Sequence, residues 1–177
     1  MVFKTGNLFD PDLPNPPDVR LFAANGVVKR NGELVMDAGA AKAAKLLVPE
    51  APAALGRRVR EEGRYLEDQG TYVYGLAIET RMGLGAFQTK YHYRGRADLN
   101  LIALAAQQLA LFASRHPDLR IAVNFPGVGL GQLHRGQVMG ILEEFWALLP
   151  IEVWKLTPGR PSSRLPVYHL PAKGEAR

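Results

Sequence analysis

Gly127, Gly129 and Gly131, separated by Val128 and Leu130, follow the apolar stretch Arg120 to Phe125 and precede a helical pattern that begins near Arg135. Such a turn bends with positive φ, brings backbone close to a ligand, and aims its N–H groups and those of the next helix at a phosphate. The same glycines would also serve a tight strand-to-helix turn that holds nothing. A dinucleotide fingerprint needs a glycine at position 132, where Gln132 stands, and a P-loop needs Gly-Lys followed by Ser or Thr, which no segment supplies. Both patterns are therefore disfavoured.

A second segment has matching properties. Ala23 and Ala24 close an apolar run at Asn25, a loop follows through Gly32, and Val35-Met36-Asp37-Ala38-Gly39-Ala40-Ala41 leads into a helix among alanines small enough for a ligand to lie against the backbone. Ligands of open α/β sheets bind at the carboxyl ends of strands, where Asn25 would sit. Its amide both donates and accepts, which suits a ribose hydroxyl and equally suits capping its own loop. Asp37 either faces a bound anion or caps the helix that follows. Facing inward, at about 4 Å and an effective dielectric of about 20, it would repel a unit negative charge by about 4 kcal/mol. Capping is the usual role of an aspartate just before a helix.

The elements that must position these residues follow from periodicity. Strands are expected at Val2 to Lys4, Val19 to Ala24, Tyr72 to Glu79, Leu84 to Gln88, Arg120 to Phe125 and Ile151 to Leu156. Asp10 to Pro17, with four prolines, reads as a loop. Helices are expected at Gly39 to Leu47, Ala51 to Glu62, Asp98 to Arg115 and Arg135 to Leu149. In the third, Leu99, Ile102, Ala106, Leu109 and Phe112 share a face, Asp98 complements the dipole at the start, and Leu101, Leu104 and Leu111 spread the apolar surface beyond one stripe. That helix should be heavily buried. The order from residue 97 onward implies parallel strands joined by right-handed crossovers.

The chain has 177 residues, 47% hydrophobic and 22% charged, which fits one domain with one sizeable core. It has no cysteine, so disulfides, thiolate nucleophiles and cysteine-bound zinc are out. No two histidines have the i, i+4 spacing of a helical metal site, and neither a metal nor a cofactor is expected. The N-terminus lacks the pattern of a signal peptide and no apolar run approaches the ~20 residues of a membrane span, so a cytoplasmic protein without membrane association is expected. The net charge of +5 and pI of about 9.6 favour anionic ligands. Part of that charge lies at the end, where Arg160, Arg164, Lys173 and Arg177 are opposed by Glu175 alone.

Over about residues 2 to 156 the sequence resembles the macrodomains, an ADP-ribose-binding α/β/α family. The resemblance implies a three-layer α/β/α sandwich with a roughly six-stranded mixed sheet in residues 1–156, with a basic, proline-containing extension at 157–177. Thr5-Gly6-Asn7-Leu8-Phe9 resembles the segment after the first strand, where relatives carry an adenine-binding aspartate and this chain has Asn7. Asn25, Gly32 and Val35 to Ala41 resemble the first ligand loop, in which Asp37 stands where relatives commonly have glycine. Pro126 to Leu133 resembles the second loop, which covers diphosphate and distal ribose. The implied ligand-binding residues are Asn7, Leu8, Asn25, Met36, Ala38, Gly39, Ala40, Gly127, Val128, Gly129, Leu130 and Gly131.

Phe87-Gln88-Thr89-Lys90-Tyr91-His92-Tyr93-Arg94 is similar to the Phe-Pro-Thr-Lys-x-His-Trp segment of macrodomains that strip ADP-ribose from glutamate or DNA bases. There the lysine is catalytic, and Lys90 occupies its position. A nucleophilic lysine needs a depressed pKa, through burial or a neighbouring cation such as His92 or Arg94. The glutamate-specific relatives add an aspartate after the second loop, where this chain has His134, which is either a general acid or base or a loop histidine at a helix start. The resemblance thus implies a hydrolase acting on ADP-ribosylated protein or DNA. Alternatives are a reader that binds ADP-ribose without turnover, or a nucleic-acid-binding module using the aromatic and basic run Tyr91 to Arg96 for weak contact with single strands.

Overall fold

Alternation of apolar residues, interrupted by glycine and proline, builds a sheet of six strands in the computed structural model, which describes residues 1–156. The strands are β1 (Val2–Thr5), β2 (Val19–Ala24), β5 (Leu76–Glu79), β6 (Leu84–Gln88), β7 (Ile121–Asn124) and β8 (Glu152–Lys155). A separate two-stranded ribbon pairs β3 (Arg64–Leu66) with β4 (Thr71–Val73). Order across the sheet is β1-β8-β7-β2-β6-β5, with five strands parallel and β5 antiparallel to β6. The sheet is mixed, as the resemblance implied.

Four helices cover it. On one face α1 (Gly39–Leu47) and α2 (Ala51–Glu62) bury Ala44, Leu55 and Val59 against Phe22, Ala24, Leu84 and Ala86. On the other α3 (Leu99–Arg115) and α4 (Arg135–Trp146) bury Ile102, Leu109, Val138 and Trp146 against Leu21, Phe87, Val123 and Val153. The result is three layers. Trp146 anchors the second core: it is fully buried, its indole N–H donates to the Ala106 carbonyl at 2.8 Å, and its ring meets that of Phe87 edge-on at 5.8 Å. Truncating a side chain so placed costs about 3–5 kcal/mol.

Asp98 is the N-cap of α3, its carboxylate accepting from the N–H groups of Asn100 at 2.8 Å and Leu101 at 3.2 Å. The buried face of α3 is Leu101, Ile102, Ala105, Ala106, Leu109 and Ala113, rotated from the expected stripe, so Leu99 and Phe112 are half-buried and Leu111 is 53% exposed. The reason is α4, which packs beside α3 and draws its small residues inward.

Tyr72 to Glu79, expected as one strand, is two. Gly75 adopts φ +72°, and the N–H groups of Tyr74 and Gly75 both turn to the side-chain oxygen of Gln88, so the ladder breaks there. The strand β3 had no sequence signal beyond three residues, Arg64-Tyr65-Leu66, and it exists because Tyr65 pairs with Tyr72 across the ribbon. The helix expected to run to Leu149 ends at Trp146. The 157–177 extension lies outside the described residues.

Candidate functional site

Five parallel strands end at one edge of the sheet, and the loops that leave them enclose a cavity of about 980 Å³. Strand order sets its length. The loop after β1 lies four strand spacings from the loop after β6, roughly 19 Å at about 4.8 Å each. Leu8, Trp154 and Leu156 therefore line one end, the β7 loop and α1 the middle, and Asn25, Thr89 and Lys90 the other end.

The middle is shaped for an anion. Ala38 is the N-cap of α1 and makes no side-chain cap, so the first backbone N–H groups of this nine-residue helix have no protein acceptor among the described residues, while Ala38, Gly39, Ala40 and Ala41 all face the cavity. Opposite them the β7 loop turns through Gly127 at φ +73° and Gly129 at φ +79° into a 3₁₀ turn, Gly129–Gly131. The loops meet above the cleft: a side chain at Gly39 would lie 3.5 Å from the Leu130 methyl. Strands β2 and β7 part just below, and Asn124 bridges the gap by accepting from the Ala23 N–H at 2.9 Å.

At the β6 end the backbone is pinned. Thr89 and Lys90 both donate their N–H groups to the Ala24 carbonyl, and the buried Gln88 amide donates to the carbonyls of Tyr72 at 2.8 Å and Lys90 at 3.1 Å. The Lys90 amine reaches across to the Leu130 carbonyl at 3.0 Å. Burial lowers its pKa from the ordinary lysine value. His92 and Arg94 turn elsewhere: His92 stacks on Tyr93 at 4.2 Å, with its Nδ1 accepting from the Arg94 N–H, and the Arg94 guanidinium lies 5.5 Å from the Tyr93 ring centre.

This architecture has counterparts among solved structures. The macrodomain of Mycobacterium tuberculosis DarG superposes with a TM-score of 0.62 at 22% identity, covering 89% of this chain and 97% of that one. The macrodomain of Thermus aquaticus DarG gives 0.56 at 22% identity over the same shares. The fold is that of a macrodomain. A Thermosipho africanus DarTG in complex with ADP-ribose gives 0.57 at 16% identity, covering 94% of this chain and 43% of that one. No protein-family profile matches the chain. No curated protein matches it either.

Within the macrodomain cleft, Asn7, Leu8, Asn25, Ala38, Gly39, Ala40, Lys90 and Gly127 to Gly131 all line the cavity. Met36 and His134 do not. Met36 is fully buried in the core beneath α1, because the strand-like segment before Asp37 turns it inward. His134 is the exposed N-cap of α4, its Nδ1 accepting from the Gly136 N–H at 3.4 Å, so its ring serves the helix start. Asn25 ties its own loop, donating to the Val35 carbonyl at 3.0 Å and accepting from the Val27 N–H at 2.9 Å, and is 7% exposed. Asn7 accepts from the Phe9 N–H at 3.0 Å.

Asp37 does not cap α1, contrary to the usual role of an aspartate in that place. It lines the macrodomain cleft and pairs with Lys45 at 2.6 Å and Lys29 at 3.6 Å, and the Lys45 bond foremost holds its pKa below the usual carboxylate value. Its charge is thus answered by two cations. The cleft also takes in Lys29, Thr89, Tyr93, Asn124, Phe125, Arg135, Trp154 and Lys155, which the sequence did not single out. Asn124 and Lys155 end parallel strands, a signal that needs the strand order to be read.

Proposed function

We propose that this chain binds ADP-ribose and hydrolyses its bond to a modified macromolecule, an acidic side chain or a DNA base, with Lys90 as the nucleophile. The observation that carries the reading is the uncapped start of α1 facing the Gly127 to Gly131 loop, a pair of backbone surfaces suited to a diphosphate. A macrodomain fold, shared with a DarTG in complex with ADP-ribose, supports it. Cleft length supports it as well, since a diphosphate in the middle leaves room for a nucleoside towards Asn7, Leu8 and Trp154 and a second ribose towards Asn25 and Lys90.

Lys90 is the one lysine whose pKa is lowered by burial, and it stands at the distal-ribose end. In its unprotonated form the amine attacks the anomeric carbon of the opened ribose, the macromolecular group leaves with a proton, and water then releases the sugar and restores the amine. A reader without turnover is the second reading, favoured by Asp37 in the cleft and by His134, which caps a helix instead of facing the cavity.

Calorimetric titration of ADP-ribose into the wild type and Gly129→Glu, with turnover of ADP-ribosylated DNA and glutamyl protein by the wild type and Lys90→Ala, tests both. Micromolar-range binding is expected in the wild type and loss of binding in Gly129→Glu, whose side chain enters the open space above the loop. Lys90→Ala is expected to lower turnover by at least ~100-fold. Binding without turnover of either substrate leaves the reader, and absence of ADP-ribose binding removes both readings.

A further inference from the structure

Two cations on the cleft wall have no carboxylate partner among the described residues. Lys155 closes β8 and Arg135 opens α4, and both line the cavity. The other lining cations are engaged, Lys29 with Asp37 and Lys90 with the Leu130 carbonyl. Lys155 and Arg135 instead rest on aromatic faces: the Lys155 amine lies 4.5 Å from the Phe3 ring centre and the Arg135 guanidinium 4.9 Å from that of Phe125. A ring face orients a cation without consuming any of its N–H groups, so both remain able to bind an anion.

Sheet register brings the two together. Asn124 pairs with Trp154, so Phe125 and Lys155 are neighbours one residue further on, pointing to the α4 face, where Arg135 covers Phe125. This corner lies at the nucleoside end of the cleft, two to three strands from Lys90. The diphosphate between α1 and the glycine loop does not need it. A neutral nucleoside does not explain it.

We infer that the cleft accepts a nucleotide bearing a third anionic group, a phosphate on the ribose of the nucleoside half, with Lys155 and Arg135 as its ligands. This rests on the nucleotide reading of the cleft and narrows the substrate class to one that carries charge at both places. Arg135 supplies a planar pair of donors matched to phosphate oxygens, and Lys155 supplies a point charge.

The probes are ADP-ribose and its 2′-phosphate, titrated calorimetrically into the full chain as wild type, Arg135→Gln, Lys155→Gln and the double variant, with thermal midpoints recorded for each. Wild type is expected to bind the 2′-phosphate about tenfold more tightly than ADP-ribose. Each single variant should shrink that ratio at least threefold, and the double variant should bring it close to one. Equal or weaker binding of the 2′-phosphate by wild type overturns the inference, as does a ratio that the folded double variant retains, and in both cases ADP-ribose binding still stands. If neither nucleotide binds, the nucleotide reading fails and this inference fails with it.

Discussion

Gln88 employs its whole amide inside the protein: the oxygen accepts from Tyr74 and Gly75, and the nitrogen donates to Tyr72 and Lys90. It stands where relatives by sequence motif carry proline, and it holds the turn that presents Lys90 by hydrogen bonds where a proline would hold it by ring geometry. The Tyr74 hydroxyl, buried and donating to the Asn25 carbonyl, ties the same node to the first ligand loop, and burial drives its pKa above the usual phenol range. Lys90 yields the prediction at this scale. Burial favours its neutral amine, so its folded pKa lies below the ordinary 10.5. The resulting cost to stability is complete below the folded pKa and vanishes as pH rises through it towards the unfolded value. Turnover by an amine nucleophile should accordingly climb with pH and level off at a midpoint below 10.5. A pH–rate profile checks this, and a midpoint at or above that value, or a flat profile, argues against Lys90 as nucleophile.

Among the elements, the cleft depends on loops that cross very close to one another. Gly26 shows how close: a Cβ there would lie 2.2 Å from the Tyr72 carbonyl oxygen, while its own N–H donates to the Tyr91 carbonyl and its carbonyl accepts from Tyr72. It locks the β2 loop, the β4 strand and the Lys90 turn in one place. Gly129 is the opposite case, at φ +79° with open space around it. Gly26→Ala should cost about 2–4 kcal/mol because backbone must move, whereas Gly129→Ala should cost only about 1 kcal/mol of conformational strain. Urea unfolding of the two variants would separate them, and equal losses would show that the Gly26 crossing relaxes freely. The sequence displayed both glycines alike, since the difference lies in neighbours from other strands. Helix α3 repeats the point: its length and its Asp98 cap were readable, but its buried face shifted to Leu101, Ala105 and Ala113 once α4 lay against it.

For the molecule as a whole, charge is the property with a measurable consequence. The chain carries +5, and Lys29, Lys90, Arg135 and Lys155 line the cleft against Asp37. ADP-ribose affinity should therefore fall several-fold between about 0.05 and 0.5 M salt, as screening shortens the Debye length. Calorimetry across that range measures the slope, and a salt-independent affinity would mean that backbone contacts carry the binding without help from side-chain charge. No helix of the described residues is long and apolar enough to cross a membrane. Local patterns sufficed for most strands, for all four helices and for the two glycine-bearing loops, because apolar period, caps and turn residues act between near neighbours in the chain. Which loops face each other was decided by the strand order β1-β8-β7-β2-β6-β5, which brings Asn7, Asn25, Lys90 and Lys155 to one edge from positions up to 148 residues apart. The direction of Asp37 was decided the same way, by the two lysines the fold sets beside it, because pairing across the sheet depends on long-range packing that no local pattern encodes.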